Sequence, residues 1–95
     1  MSFEEHCDEC QEKLGQRYEA VHRWLDEFAR SPKYGMRHRR VRHHQTGIDE
    51  AARLFGGDAA QAARLHVIAD LEEEGWKEGD HFPRDEADHA RMGLW

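Results

Sequence analysis

The chain has 95 residues, of which 38% are hydrophobic and 36% charged, and its formal net charge is −6. This length is typical of one small domain with a modest core, so the sequence predicts a single helical domain over residues 1–95. The apolar runs are too short to cross a membrane and the first residues lack the apolar stretch of a signal peptide, which predicts a cytoplasmic protein.

Residues 3–12 predict a mostly polar helix that carries the two cysteines of the sequence, Cys7 and Cys10. His6 stands four positions before Cys10, so the two side chains can face the same point. Cys7 and Cys10 have half of the spacing of a zinc ribbon, but the sequence holds no second pair. The composition therefore favours a solvated helix with two inert thiols over a cysteine metal site.

From Leu14 to Ala29, apolar residues recur three and four positions apart, as they do on one face of a helix. This face holds Leu14, Tyr18, Val21, Leu25 and Phe28. His22 lies on its flank, and Asp26 follows His22 by four positions on the same side. A serine followed by a proline predicts that the helix ends by Arg30.

A second long helix is predicted from about Met36 to Phe55, with an apolar stripe formed by Val41, Ile48, Ala51, Ala52 and Phe55. His44 lies four positions before Ile48, which places it on the buried face, with His43 beside it. Gly47 weakens the helix by about 1 kcal/mol relative to alanine, so its presence indicates a close approach by another helix or by a ligand.

The first half of this second helix is strongly basic. It contains Arg37, Arg39, Arg40 and Arg42, and residues 33–44 carry +5, which leaves −11 on the rest of the chain. Positive charge at the start of a helix opposes the helix dipole, so a negative partner is expected nearby. The acidic run at residues 72–74, Glu4 with Glu5, and an external phosphate are the candidates. The four arginines are thus candidate anion-binding residues, and a solvated face paired with the chain's own acids is the other interpretation.

A third helix is predicted from Asp58 to about Glu74, where Asp58 and Gln61 have the spacing of a capping box. His66 and Asp70 repeat the four-residue spacing of His22 and Asp26. A shorter helix is expected between residues 85 and 92, and Phe82 and Trp95 are expected to cover the core. The predicted fold is therefore all-α, a small bundle of three main helices with a short C-terminal helical tail.

Histidines on the core-facing sides of three helices predict a metal site inside the bundle. The candidate ligands are His22, His44, His66, Asp70, Asp26, His43 and His38. Imidazole and carboxylate ligands suit a divalent zinc, iron, manganese or nickel ion, and the aspartates either bind the ion or orient the imidazoles. In the alternative interpretation, the histidines are buried, form hydrogen bonds with Asp26, Asp70 or Tyr18, and hold the helices in register.

The chain resembles a family of small, uncharacterised bacterial and phage proteins, a domain of unknown function. The segments that carry the resemblance are Val21-His22-Arg23-Trp24-Leu25-Asp26, the run from Arg37 to Ile48 with the pattern RHRxxRHHxxGI, Phe55-Gly56, and His66-Val67-Ile68-Ala69-Asp70-Leu71. These segments span residues 21–71 and leave out the cysteine pair. The resemblance supports the choice of candidate residues and implies no reaction.

Three functions are compatible with these features. The first is a metal-binding protein, in which a metal-bound water hydrolyses a phosphate-containing or other anionic ligand held by the arginines. The second is a non-enzymatic interaction module that uses the arginine-rich helix 37–48 against an acidic protein partner. The third is a nucleic-acid or nucleotide binder that uses the same arginines; the overall acidity argues against a broad duplex-binding face but not against a pocket for one nucleotide. A homodimer is compatible with a chain this small that holds three tryptophans.

Overall fold

The computed structural model describes residues 1–94, and within them the chain folds into helices without strands. The elements are α1 (Phe3–Leu14), α2 (Glu19–Leu25), a 3-10 turn (Gly35–Arg37), α3 (Arg39–Arg42), α4 (Gln45–Phe55), α5 (Ala59–Glu73) and α6 (Glu86–Arg91). The predicted all-α fold is confirmed. None of the helices in this range is long and apolar enough to cross a bilayer.

Helix α5 lies at the centre of the bundle and packs against α1, α2 and α4. Its buried apolar face is mostly small, since Ala59, Ala62 and Ala63 are accompanied there by Val67 and Leu71. Side chains this small let neighbouring helices approach closely. The core is completed by Cys10 of α1, Val21 and Leu25 of α2, and Ile48 and Ala51 of α4.

The helix predicted over residues 14–29 is wrong at both ends, because α1 ends at its first residue and α2 covers only its middle. Helix α1 begins at a capping box on Ser2 and ends at Leu14, where Gly15 adopts a left-handed conformation with φ 83°. Glycine tolerates this conformation and commonly ends a helix. Helix α2 begins only at Glu19 and ends at Leu25. The apolar periodicity was continuous because both helices turn their apolar faces to the same core.

The predicted helix over residues 36–55 is also wrong, because the chain turns at His43 and His44. His43 has φ −85° and ψ 62°, and His44 is extended, with φ −160° and ψ 176°. His44 is the N-cap of α4, where its Nδ1 accepts a hydrogen bond from the Gly47 N–H. The close approach predicted at Gly47 is real, since a Cβ there would collide with the Arg42 carbonyl group.

The third helix and the tail follow the prediction, except at one end. Helix α5 covers the predicted range, but Asp58 has helical φ and ψ angles and its side chain makes no capping hydrogen bond. The predicted capping box is therefore wrong. Helix α6 begins after Asp85, whose side chain accepts from the Asp88 N–H. Phe82 packs against the core as expected, whereas Trp95 lies outside the described residues.

Candidate metal centre

Two carboxylates and two imidazoles converge between α2, α3 and α5. Asp26 follows the last residue of α2, His43 follows the last residue of α3, and His66 and Asp70 lie one turn apart on α5. One ligand atom from each of these four residues lies within 4.8 Å of every other. His43, His66 and Asp70 are buried and Asp26 is partly exposed. Three separate elements therefore contribute to a single polar cluster inside the bundle.

The spacing of the four atoms matches neighbouring positions of a coordination shell. His43 Nε2 lies 2.9 Å from Asp70 Oδ2 and 3.4 Å from Asp26 Oδ1, and His66 Nε2 lies 3.3 Å from each of these oxygens. Metal–ligand bonds of about 2.0–2.2 Å place adjacent ligands of a tetrahedron or octahedron about 3–3.5 Å apart. The rings of His43 and His66 are inclined at 65°, so their in-plane lone pairs can meet at one point.

Two further histidines flank this cluster: His38 contacts the Asp26 carboxylate and His6 contacts the Asp70 carboxylate. His38 Nε2 lies 3.3 Å from Asp26 Oδ1 on the more exposed side, where the two side chains are 17% and 32% exposed. His6 Nε2 lies 3.2 Å from Asp70 Oδ1 in the interior. That His6–Asp70 pair lacks hydrogen-bond geometry, and both atoms are buried without a hydrogen-bond partner among the residues described. Four imidazoles thus aim Nε2 atoms at two carboxylates.

A chain of hydrogen bonds fixes the tautomers of His22 and His66. The Nε2–H of His22 donates to the Arg17 carbonyl oxygen at 3.0 Å. The Nδ1 of His22 is then free to accept from the Nδ1–H of His66 at 2.9 Å. His66 therefore presents Nε2 to the carboxylates with its other nitrogen anchored, which is the usual arrangement of a metal-binding histidine. His38 has the same arrangement, since its Nδ1–H donates to the Gly35 carbonyl oxygen.

His6, His22 and His66 also bring ring nitrogens together, but their geometry argues against an ion among them. The Nδ1 atoms of His22 and His66 are 2.9 Å apart and the ring centroids 5.1 Å apart, so both nitrogens lie close to the line between the centroids. That gap is too short for an ion with bonds of about 2.0–2.1 Å on either side. His6 stacks on His66 at 3.7 Å and 15°, and nearly parallel rings cannot direct in-plane lone pairs at one point.

Protons hold the cluster together when no ion is bound. Burial alone would raise the pKa of the Asp26 and Asp70 carboxyl groups, but the surrounding imidazoles outweigh it and lower both pKa values far below the ordinary range. Burial alone would lower the pKa of His66, but the two carboxylates outweigh it and raise that pKa. A proton on His66 Nε2 therefore occupies the position that a cation would take between the carboxylates.

The structure brings together five of the seven residues predicted as ligands. Asp26, His38, His43, His66 and Asp70 meet at the cluster. His22 lies one hydrogen bond away, behind His66. His44 lies outside the cluster because it caps α4, and burial lowers its pKa. Of the histidines predicted on three helices, His22 and His66 are in contact, whereas His44 has Val41 and Gly47 as its hydrogen-bond partners.

The predicted anion-binding arginines divide into two pairs. Arg39 contacts Glu73 at 3.3 Å, Glu74 at 3.0 Å and Asp70 at 3.6 Å. Arg42 binds Glu27 and the Trp24 carbonyl oxygen and stacks on the Trp24 ring. Both charges are thus balanced by groups of the chain itself. The other two, Arg37 and Arg40, line a cavity of about 210 Å³ beside the end of α6.

Sequence reasoning missed the part that His6 plays. Its spacing paired it with Cys10 on α1, whereas in the structure it stacks on His66, sixty residues later. No short-range pattern contains that contact. Cys7 and Cys10 are buried free thiols whose pKa values are raised by burial, that of Cys10 to about 11. Thiols of this kind are poor nucleophiles and poor ligands.

A family model described as a domain of unknown function (DUF6915) matches residues 1–76. The chain belongs to this family. The resemblance expected from the motifs is confirmed, and the match to DUF6915 also takes in α1, with His6 and the two cysteines. All residues of the polar cluster lie within the matched range, whereas α6 lies outside it. No curated protein and no solved structure matches the chain. The exact motifs and the bacterial or phage origin stay predictions.

Proposed function

We propose that this DUF6915 chain binds one divalent transition-metal ion through Asp26 Oδ1, His43 Nε2, His66 Nε2 and Asp70 Oδ2. The observation that carries the proposal is the convergence of these four atoms at 2.9–3.4 Å from their nearest neighbours in the set. Two carboxylates and two neutral imidazoles neutralise a divalent ion, and nitrogen and oxygen ligands suit zinc, iron, manganese or nickel.

The surroundings of the four atoms support an ion better than a purely structural hydrogen-bond network. The anchored Nδ1–H of His66 commits its Nε2 to the cluster, and the unsatisfied Asp70 Oδ1 and His6 nitrogens are unusual for a buried network. Asp70 is nearly inaccessible, and the permanent charge nearest to it, that of Arg39, stays 3.6 Å from Oδ1, beyond hydrogen-bond distance. A bound ion would contact the carboxylate directly, over a wider pH range than protonated histidines do.

Metal analysis of untagged protein purified without chelator tests the proposal. We expect about one ion per chain by mass spectrometry, and after chelation one equivalent of Zn²⁺, Mn²⁺, Fe²⁺ or Ni²⁺ to rebind in calorimetry. Asp70→Asn and His66→Gln should abolish binding while circular dichroism shows that the helices remain. Asp88→Asn is the matched control, since Asp88 also binds a histidine, His81, away from the cluster. Protein that rebinds none of the four ions would refute the proposal.

Metal-assisted hydrolysis of a phosphate-containing or other anionic ligand is the chemistry we propose for the exposed edge of this site. The partial exposure of Asp26 and His38 supports it: an ion held by the cluster would supply Lewis-acid activation of water, and His38 would be placed on the exposed side to take up a proton. Hydrolysis of bis(4-nitrophenyl) phosphate by metal-loaded protein, compared with His38→Gln, tests this step. Loaded protein that is no faster than the free ion would exclude it.

The interaction module has less support, because acidic groups of the chain already bind Arg39 and Arg42. An acidic protein partner, a small anionic ligand, a homodimer and a cytoplasmic location stay predictions. An acidic partner would have to compete with Glu73, Glu74 and Glu27 for these two guanidinium groups. Such exchange of one carboxylate for another gains little free energy at a surface.

A further inference from the structure

We propose that the metal ion fastens the basic segment, residues 27–42, to the helical core, so that loss of the ion releases this segment while α1, α4 and α5 stay folded. This inference rests on the proposed function, since it gives the same ion a structural role. The basic segment contains the 3-10 turn and α3. It carries six lysine and arginine residues against one acid, Glu27.

Two of the four ligands stand at the ends of the basic segment. Asp26 directly precedes it and His43 directly follows it, while His66 and Asp70 belong to α5. An ion bound by all four therefore closes the segment into a loop and ties both of its ends to the central helix. His38, inside the segment, adds a contact to Asp26. A cross-link of this kind restricts the open chain, as metal clips and disulfides do.

The hydrophobic core does not hold the basic segment. The core cluster includes Leu25 and then Ile48, and among the residues described it includes none between them. None of the described side chains of residues 27–42 is buried. The 3-10 turn has three residues and α3 has four. Helices this short are unstable by themselves, because nucleation costs more than one turn returns.

Apart from the packing of α3 against α4 and α6 and of Arg42 on the Trp24 ring, the other contacts of the basic segment are partly exposed polar pairs. Arg39 pairs with Glu73, whose side chain is 40% exposed, and Arg42 pairs with Glu27, whose side chain is 55% exposed. Ion pairs at such positions stabilise a protein weakly. The positive side chains of the segment also repel one another, which opposes a compact conformation. Without the ion, only protons bridge the imidazoles and carboxylates at the ends of the segment, and the segment otherwise keeps the attachments named above.

Hydrogen exchange measured by mass spectrometry tests this inference on the full chain, with Zn²⁺ or with chelator. If opening of the segment requires release of the ion, Zn²⁺ at 100 times its Kd should slow amide exchange in residues 27–42 by about 100-fold. Amides in the middle of α1 and α5 should change far less. Equal changes in all helices would overturn the inference, because the ion would then stabilise the whole molecule. Zn²⁺ that binds without slowing exchange in the segment would also overturn it.

Variants and metal content keep the two proposals distinguishable. Asp26→Asn should exchange like the chelated protein even with Zn²⁺ present, whereas Asp88→Asn should keep the full Zn²⁺ effect. The comparison of chelated with loaded wild-type protein needs no variant, so it decides the question even if Asp26→Asn does not fold. Metal content measured on the same samples separates the failures: no bound ion refutes the metal site itself, and a bound ion without local protection refutes only this inference.

Discussion

Both ring nitrogens of His66 contact polar partners, and these two sets of contacts define the cluster. Its Nε2 faces Asp26 and Asp70, and its Nδ1–H is donated to His22. The same arrangement keeps His22 neutral: burial, and then the nearby His66 and His6, lower its pKa to about 4. A neutral His22 keeps its Nδ1 lone pair available to His66. The tautomer of one histidine is therefore set by another that lies outside the metal shell.

Replacing His22 should weaken the metal site without removing it. In His22→Phe the His66 Nδ1–H loses its acceptor, so the ring is less well oriented. We expect the Kd for Zn²⁺ to rise about 10- to 100-fold, with one ion still bound at saturation. Calorimetric titration measures both quantities. His81→Phe, at an exposed histidine, is the control and should keep the wild-type Kd. An unchanged Kd in His22→Phe would show that the hydrogen bond between His22 and His66 has no part in metal binding.

His44 should prove to be a helix cap and not a ligand. Loss of its bond to the Gly47 N–H in His44→Ala is expected to lower the free energy of unfolding by about 1 kcal/mol, and His44→Asn should recover part of that loss. Urea denaturation measures the free energies. Metal analysis should find the same content in both variants. A folded His44→Ala protein without metal would contradict this assignment.

At the scale of elements, the corner between α3 and α4 sets the position of His43. The chain turns there because His44 is extended and because Gly47 leaves room for the Arg42 carbonyl group. A continuous helix would have carried His43 around the helix axis, away from Asp70. The corner thus places the imidazole 2.9 Å from Asp70 Oδ2.

Closing the space at Gly47 should damage both stability and metal binding. A Cβ in Gly47→Ala meets the backbone of Arg42, which cannot move without displacing His43. We expect a loss of about 1–3 kcal/mol in the free energy of unfolding, although alanine favours helices over glycine by about 1 kcal/mol. Weaker Zn²⁺ binding should accompany this loss.

Gly57→Ala is the matched control for that substitution. A Cβ at Gly57 meets no atom within 4 Å among the described residues, and the backbone there does not require glycine. Its free energy of unfolding should stay within about 1 kcal/mol of wild type. Urea denaturation of both variants makes the comparison. Equal stabilities of the two variants would show that the corner tolerates a side chain.

At the scale of the whole molecule, a buried histidine on α6 links stability to pH. His89 is inaccessible, and both of its ring nitrogens lack a hydrogen-bond partner in the described part of the chain. Burial, and then the nearby charges of His43, His44, Arg40 and Arg39, lower its pKa to about 4. Below the unfolded-state pKa of about 6.5, the unfolded chain binds a proton that the folded chain excludes.

The free energy of unfolding should therefore fall as pH decreases from about 6.5 towards 4. His89→Leu keeps a side chain of similar size and removes the titration. Relative to wild type it should gain about 2–3 kcal/mol between pH 6.5 and 4, since a pKa difference of one corresponds to about 1.4 kcal/mol. Urea denaturation of metal-free protein at several pH values measures the difference. Parallel pH profiles for the two proteins would contradict a neutral, buried His89.

Much of the helical architecture could be predicted from the sequence, because it depends on local patterns. The apolar spacing of α5 and its four-residue His66–Asp70 pair are properties of one helix, and they survived unchanged in the structure. The breaks at Gly15 and at His43 were missed because apolar periodicity continues across them. Periodicity reports which side chains face the core, and two short helices around one core satisfy it as well as one long helix does.

The sequence by itself determined an all-helical chain, its family, and the residue types that can bind a metal, because helical periodicity, motifs and side-chain chemistry are local properties. Only the tertiary structure decided which of the eight histidines act together. In the structure, His44 caps α4, His22 lies behind His66, and His6 stacks on His66 beside the cluster. Contacts between distant segments depend on how helices end and pack, and spacing along one chain does not encode the direction in which a ring nitrogen points.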